Sequence, residues 1–70
     1  MYAEARDLLI RASQLHDQGY LAEAKTLYHQ VLTLDPYTFE AKRLLGVVYR
    51  QMGDPTAAIA CLEHIIREHQ

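Results

Sequence analysis

Apolar residues recur at spacings of three and four along the whole chain, and the strict alternation of a half-buried strand is absent. The pattern predicts four helices, over about Tyr2–Gln18, Leu21–Leu34, Pro36–Met52 and Pro55–His69. In the first, Ala5, Leu8, Leu9, Ala12 and Leu15 form one stripe. The second carries Leu21, Ala24, Leu27, Tyr28, Val31 and Leu32, and the third Ala41, Leu44, Leu45, Val48 and Tyr49. The fourth is the most apolar, with Ala57 to Leu62 followed by Ile65 and Ile66.

Each break between helices has a chemical cause. Gly19 and Gly53 can adopt the left-handed conformation that ends a helix. Asp35-Pro36 and Asp54-Pro55 combine a side chain able to accept from free amides with a proline suited to a first helical turn. These pairs are expected to cap and start the third and fourth helices. The second helix lacks such a device, because Tyr20 stands where the later copy has Asp54.

The four segments are two copies of one unit. At an offset of 34 residues Gly19 returns as Gly53 and Ala24 as Ala58. Ala12, Leu15, Tyr28 and Val31 likewise return as Gly46, Tyr49, Leu62 and Ile65. The small residues Ala12, Ala24, Gly46 and Ala58 suit close approach of paired helices, and Leu15, Tyr28, Tyr49 and Leu62 suit the space between them.

Length and composition narrow the range of functions. Seventy residues make one small domain over 1–70, with a core too thin to be strongly stable alone. Half of the residues are apolar, and with three Gly and two Pro the chain has the composition of an ordered helical protein. A net charge of -2, with acids and bases interspersed, leaves no electrostatic footprint for nucleic acid or an anionic membrane surface. One cysteine forms no internal disulfide, and no apolar run has the length of a signal sequence or a membrane span. The default expectation is a soluble, cytoplasmic setting.

The repeated residues resemble the tetratricopeptide repeat. That family has a 34-residue helix-turn-helix unit with a large residue, Leu-Gly and Tyr in its first helix, Ala and an aromatic in its second, and Pro at the end. The second copy carries Leu45-Gly46, Tyr49, Gly53 and Ala58 at the family spacing, with Leu62 in the aromatic's place. The first is looser: it keeps Gly19, Ala24, Tyr28 and Pro36 but has Arg11, Ala12 and Leu15 for Leu, Gly and Tyr. The early large residue is Leu8 in one copy and Lys42 in the other. The resemblance implies an all-α fold, a right-handed α-solenoid of two helix-turn-helix repeats with four antiparallel helices. Its repeats would span about 5–38 and 39–70.

It also implies a scaffold that binds a protein or peptide on a concave groove lined by the first helix of each repeat. Carried over residue by residue, that groove includes Arg6, Leu9, Ser13, His16 and Asp17 from the first copy and Glu40, Arg43, Val47, Arg50 and Gln51 from the second. Helical spacing supports the grouping, since Arg43, Val47 and Arg50 share one stripe, as do Leu9, Ser13 and His16. Arg43 and Arg50 are suited to gripping a carboxylate on either side of an apolar contact at Val47. Read from the residues alone, the same arginines also fit ordinary solvated charges. Leu9, Ser13 and Val47 replace the polar residues with which one subset of the family clamps a ligand's terminal carboxylate, so that clamp is not expected.

The fourth helix suggests a second surface. Ala58, Leu62 and Ile65 are expected to face inward, which leaves Ile59 and Ile66 without a covering helix. With Leu62 they make a candidate self-association surface, and a homo-oligomer, or packing against the rest of a longer parent protein, is expected there. An alternative role is therefore structural self-assembly through that terminal helix. Catalysis has little support: His16, His29, His64 and His69 are scattered, and no Ser, His and acid set occurs in a motif. Cys61, His64 and Glu68 share one helix face, but three ligands on one helix leave a metal's shell open, so neither metal nor other cofactor is expected.

Overall fold

The structure is a computed structural model that describes residues 3–68, apart from the side chains of His64, Ile65, Ile66 and Glu68. It is built from four helices: α1 (Ala3–Asp17), α2 (Leu21–Leu34), α3 (Phe39–Gln51) and α4 (Pro55–Glu68). Each packs extensively on the next in sequence, α1 on α2, α2 on α3 and α3 on α4. The resulting slab measures 28 × 27 × 14 Å, thin enough that its end helices have one extensive neighbour each.

Both first helices end in the same way. Gly19 has φ 89° and Gly53 φ 80°. The amide of Gly19 donates to the carbonyl of His16 at 3.0 Å and that of Tyr20 to Leu15 at 2.9 Å. Gly53 and Asp54 repeat this with Arg50 and Tyr49, at 3.1 and 2.8 Å. This paired pattern satisfies carbonyls that a helix end otherwise leaves unbonded, and a residue with a Cβ is strained at its left-handed position.

The helix starts differ from one another. Asp54 caps α4 as expected, its Oδ1 accepting from the amide of Ala57 at 3.1 Å. Tyr20 precedes α2 without a side-chain cap. The expectation for α3 needs correction, because that helix begins at Phe39 and not at Pro36. Asp35 is spent on the turn itself: its Oδ1 accepts from the amide of Tyr37 at 3.2 Å. Its carbonyl accepts from both the amide and the hydroxyl of Thr38, at 3.2 and 3.0 Å. With Asp35 tied to Tyr37 and Thr38, Pro36 and Tyr37 form the turn and Thr38 takes the N-cap position.

The core runs through the helix interfaces. Ala5, Leu9 and Ala12 contribute from α1, Ala24, Tyr28 and Val31 from α2, and Ala41, Leu45 and Val48 from α3. Ala58 of α4 is buried as well. Alanines at the contacts bring the helices close, while Tyr28, Val31 and Val48 are the largest side chains wholly removed from water. Burial of one such side chain contributes about 1.5–3 kcal/mol, a large share of the stability of a chain this small. Among the described residues no buried side-chain polar atom lacks a hydrogen-bond partner. No described helix is long and apolar enough to cross a membrane.

Candidate functional site

The expected groove positions divide into three groups. Arg6, Asp17, Glu40, Arg43, Arg50 and Gln51 are exposed, and Ser13, His16 and Val47 are half-buried. Leu9 is a correction: at 8% exposure it belongs to the core and offers nothing to a ligand. It lies four residues after Ala5 and three before Ala12, so all three share one buried face of α1. The small neighbours leave room for a leucine there.

One contact joins the two repeats across their first helices. His16 Nε2 donates to Gln51 Oε1 at 2.6 Å, and the other ring nitrogen, Nδ1, accepts from the Tyr28 hydroxyl at 3.4 Å. The ring meets Tyr28 edge to face, with centroids 6.2 Å apart. A second His–Tyr pair joins α2 to α3, where His29 Nε2 and the Tyr49 hydroxyl are hydrogen-bonded at 3.0 Å. Lys25 Nζ stands 5.8 Å from the centre of the Tyr49 ring.

Tyr28 links the core to the expected groove positions Asp17, Glu40 and Arg43, which its place in the repeat alone does not reveal. Its ring is fully buried, yet its hydroxyl is close enough to charged groove residues to feel them. Burial pushes its ionisation above the ordinary value; the carboxylates of Asp17 and Glu40 push the same way, and Arg43 opposes them. The phenol therefore stays neutral and hydrogen-bonding over the ordinary pH range.

The second-copy residues form a small hollow of about 120 Å³ between α3 and α4. Arg43, Val47 and Arg50 line it from α3, around Gly46, and Ala58 and Leu62 close it from α4. Arg43 Nη2 is 4.0 Å from Glu40 Oε1, a solvated pair that leaves the guanidinium reachable. The sequence places Arg43, Val47 and Arg50 on one stripe, and the structure brings them together. It also joins them to Leu62, which the sequence assigns to a different surface.

Leu62 departs from one expectation and agrees with another. It is not turned inward, being 51% exposed, but it sits with Ile59, 55% exposed, on an open face of α4. Ile66, the third member of that set, lies outside the described residues. So do two of the three residues of the Cys61, His64 and Glu68 set. Among the described residues no three His, Cys, Asp or Glu side chains gather to hold a metal. Cys61 is half-buried and its thiol is pushed above the ordinary value by burial, which makes it a packing residue and a poor nucleophile at neutral pH.

A larger apolar hollow of about 420 Å³ lies elsewhere, lined by Leu32, Pro36, Lys42, Leu45, Ala60 and Cys61. Lys42 is buried there although it is charged, in keeping with a long aliphatic stem that covers apolar surface.

In comparison with known proteins, the family model of the tetratricopeptide repeat aligns with residues 15–70. No curated protein and no solved structure matches the chain. The matched stretch holds the whole second copy and α2, and the unmatched part of α1 contains Arg11 and Ala12, which depart from the repeat pattern.

Proposed function

The chain belongs to the tetratricopeptide-repeat family, and on that premise we propose that it is a non-catalytic scaffold presenting the face shared by α1 and α3 to a segment of another protein. Members of this family generally mediate protein–protein interaction, which sets the class of activity. The observation that carries the finer reading is the hydrogen bond between His16 and Gln51. It joins the first helices of the two repeats, which supports reading Ser13, His16, Val47 and the two arginines as parts of one surface.

The chemistry of that surface favours an extended segment with a carboxylate. Arg43 and Arg50 supply forked donors, Val47 an apolar contact between them, and Ser13 a hydroxyl on the other repeat. Two arginines held on one rigid helix lose little freedom on binding, which favours affinity.

Panning a random dodecapeptide phage library on the immobilised chain tests this reading. Selected peptides are expected to bind the Ile59→Glu variant as well as they bind the parent. They are expected to lose at least about tenfold in affinity on Arg43→Ala with Arg50→Ala, and again on Ser13→Arg. Peptides indifferent to Ser13→Arg but lost on Ile59→Glu would place the binding surface elsewhere and sink the groove.

A further inference from the structure

The two repeats differ where the repeat pattern has its early large residue. The first copy has Leu8 there, half-buried and packed against the core, and α2 adds Leu27 to the same packing. At the corresponding places of the second copy stand Lys42 and Cys61, a charged side chain and a small one. Both line the hollow of about 420 Å³, together with Leu32, Pro36, Leu45 and Ala60. Leu32 belongs to the first repeat and Leu45 and Ala60 to the second, so the hollow lies between the repeats and not on an end face. Its volume falls in the range of about 300–1,000 Å³ usual for small-molecule sites.

We propose that this hollow binds a monocarboxylate with a medium-length alkyl chain, the chain lying against Leu32, Leu45 and Ala60 and the carboxylate meeting Lys42. The charge sets the head group. Lys42 is 5% exposed, so its ammonium sits largely out of water beside hydrocarbon, where an anion brought next to it is weakly screened. Lys42 already has a partner within the chain. An ammonium carries three donors, so a carboxylate joins that partner and does not displace it. Lys42 is the one charged side chain of the described lining, which matches a monoanion and not a doubly charged phosphate.

The rest of the lining sets the body of the ligand. Apart from Lys42, the described side chains offer hydrocarbon and the Cys61 thiol, which burial keeps protonated. The amides of a peptide would lose water against these side chains without gaining partners. An alkyl chain has no such groups to satisfy, and it removes its own apolar surface and that of Leu32 and Leu45 from water. The inference is independent of the groove, since none of these residues belongs to the face shared by α1 and α3.

The test titrates the full chain, isotope-labelled at its Leu and Val methyl groups, with decanoate and separately with decanol, each below its aggregation limit, and follows the methyl resonances by NMR. Saturable shifts are expected at Leu32 and Leu45, with Val47 and Leu62 unmoved. Decanoate should bind at least about tenfold more tightly than decanol. Lys42→Met, which keeps an unbranched apolar stem and removes the charge, should abolish that preference. Ala60→Trp, a substitution at an exposed position, should weaken both ligands, with circular dichroism confirming an intact helical fold. Absence of binding would overturn the proposal, as would shifts that do not saturate or that are as large at Leu62 as at Leu45, since decanoate would then be coating apolar surface at large. So would a preference for decanoate that survives Lys42→Met, or undiminished binding by Ala60→Trp.

Discussion

His16 and Gln51, one from each repeat, are joined side chain to side chain, with Nε2 donating to Oε1 across 2.6 Å. The same ring stands perpendicular to that of Tyr28, so the contact ties the first-helix faces to the core of the first repeat. Solvent reaches the pair, which places its contribution at the low end for a hydrogen bond, about 0.5 kcal/mol. A double-mutant cycle of His16→Ala and Gln51→Ala in urea unfolding is expected to return a coupling of that size. Additive losses would show that the two repeats are held in register by the apolar interface alone.

Gly46 is buried between α3 and α4, where a glycine is readily explained as a demand for space. A Cβ added there would lie 3.6 Å from Cys61 Cβ and 3.7 Å from the Ala58 carbonyl oxygen, which is ordinary contact. The first repeat already has Ala12 at the same place. Gly46→Ala is therefore expected to raise stability by about 0.5–1 kcal/mol, by removing backbone freedom from the unfolded chain. Gly53→Ala should do the reverse by about 1 kcal/mol, because its φ of 80° strains any residue with a Cβ. Denaturation midpoints of the two variants that moved in the same direction would contradict this account.

Secondary structure was largely legible because period and punctuation agree. The apolar spacing places α2 at Leu21–Leu34, and Gly19 and Gly53 end both first helices as a left-handed residue should. Burial is harder to read where it depends on a third element. Leu9 and Arg43 share a place in the repeat, and the family resemblance carries both into the expected groove, but Leu9 fits between Ala5 and Ala12 and goes under. Leu62 matches Tyr28 in the repeat but not in cover, since α3 lies over the one and no described helix lies over the other. The hollow that unites Leu62 with Arg43 and Arg50 arises between two helices and has no linear signature.

The two Asp-Pro pairs look alike in sequence and behave differently, so their removal should separate them. Asp54 accepts from the third residue of its own helix, at 3.1 Å, and Asp54→Ala is expected to cost about 1 kcal/mol. Asp35 instead bonds the amide of Tyr37 within the turn at 3.2 Å, and its carbonyl, which the substitution keeps, holds Thr38. Asp35→Ala is therefore expected to cost less, about 0.5 kcal/mol. Thermal unfolding of the two variants checks the order, and an equal or larger loss at Asp35 would mean that it supports α3 after all.

Alkaline pH offers a test of the buried phenol. Tyr28 is held above its ordinary ionisation at 10.0, first by burial and then by Asp17 and Glu40. Tyr49, also through burial first, and Cys61 are shifted in the same direction, the thiol from 9.0. In each case the folded protein keeps its proton to higher pH than the unfolded chain does. Between the two ionisations the folded state binds more protons, so stability falls as pH rises. The contribution is fully present below about pH 9 and is lost progressively through pH 10 and above, first at Cys61 and then at the tyrosines. Urea midpoints measured from pH 8 to pH 11 should decline over that window, and Tyr28→Phe, which has nothing to ionise, should decline less steeply than the parent. Parallel curves for the two proteins would mean that Tyr28 ionises as readily folded as unfolded, and that its hydroxyl is not held among the charges of Asp17, Glu40 and Arg43.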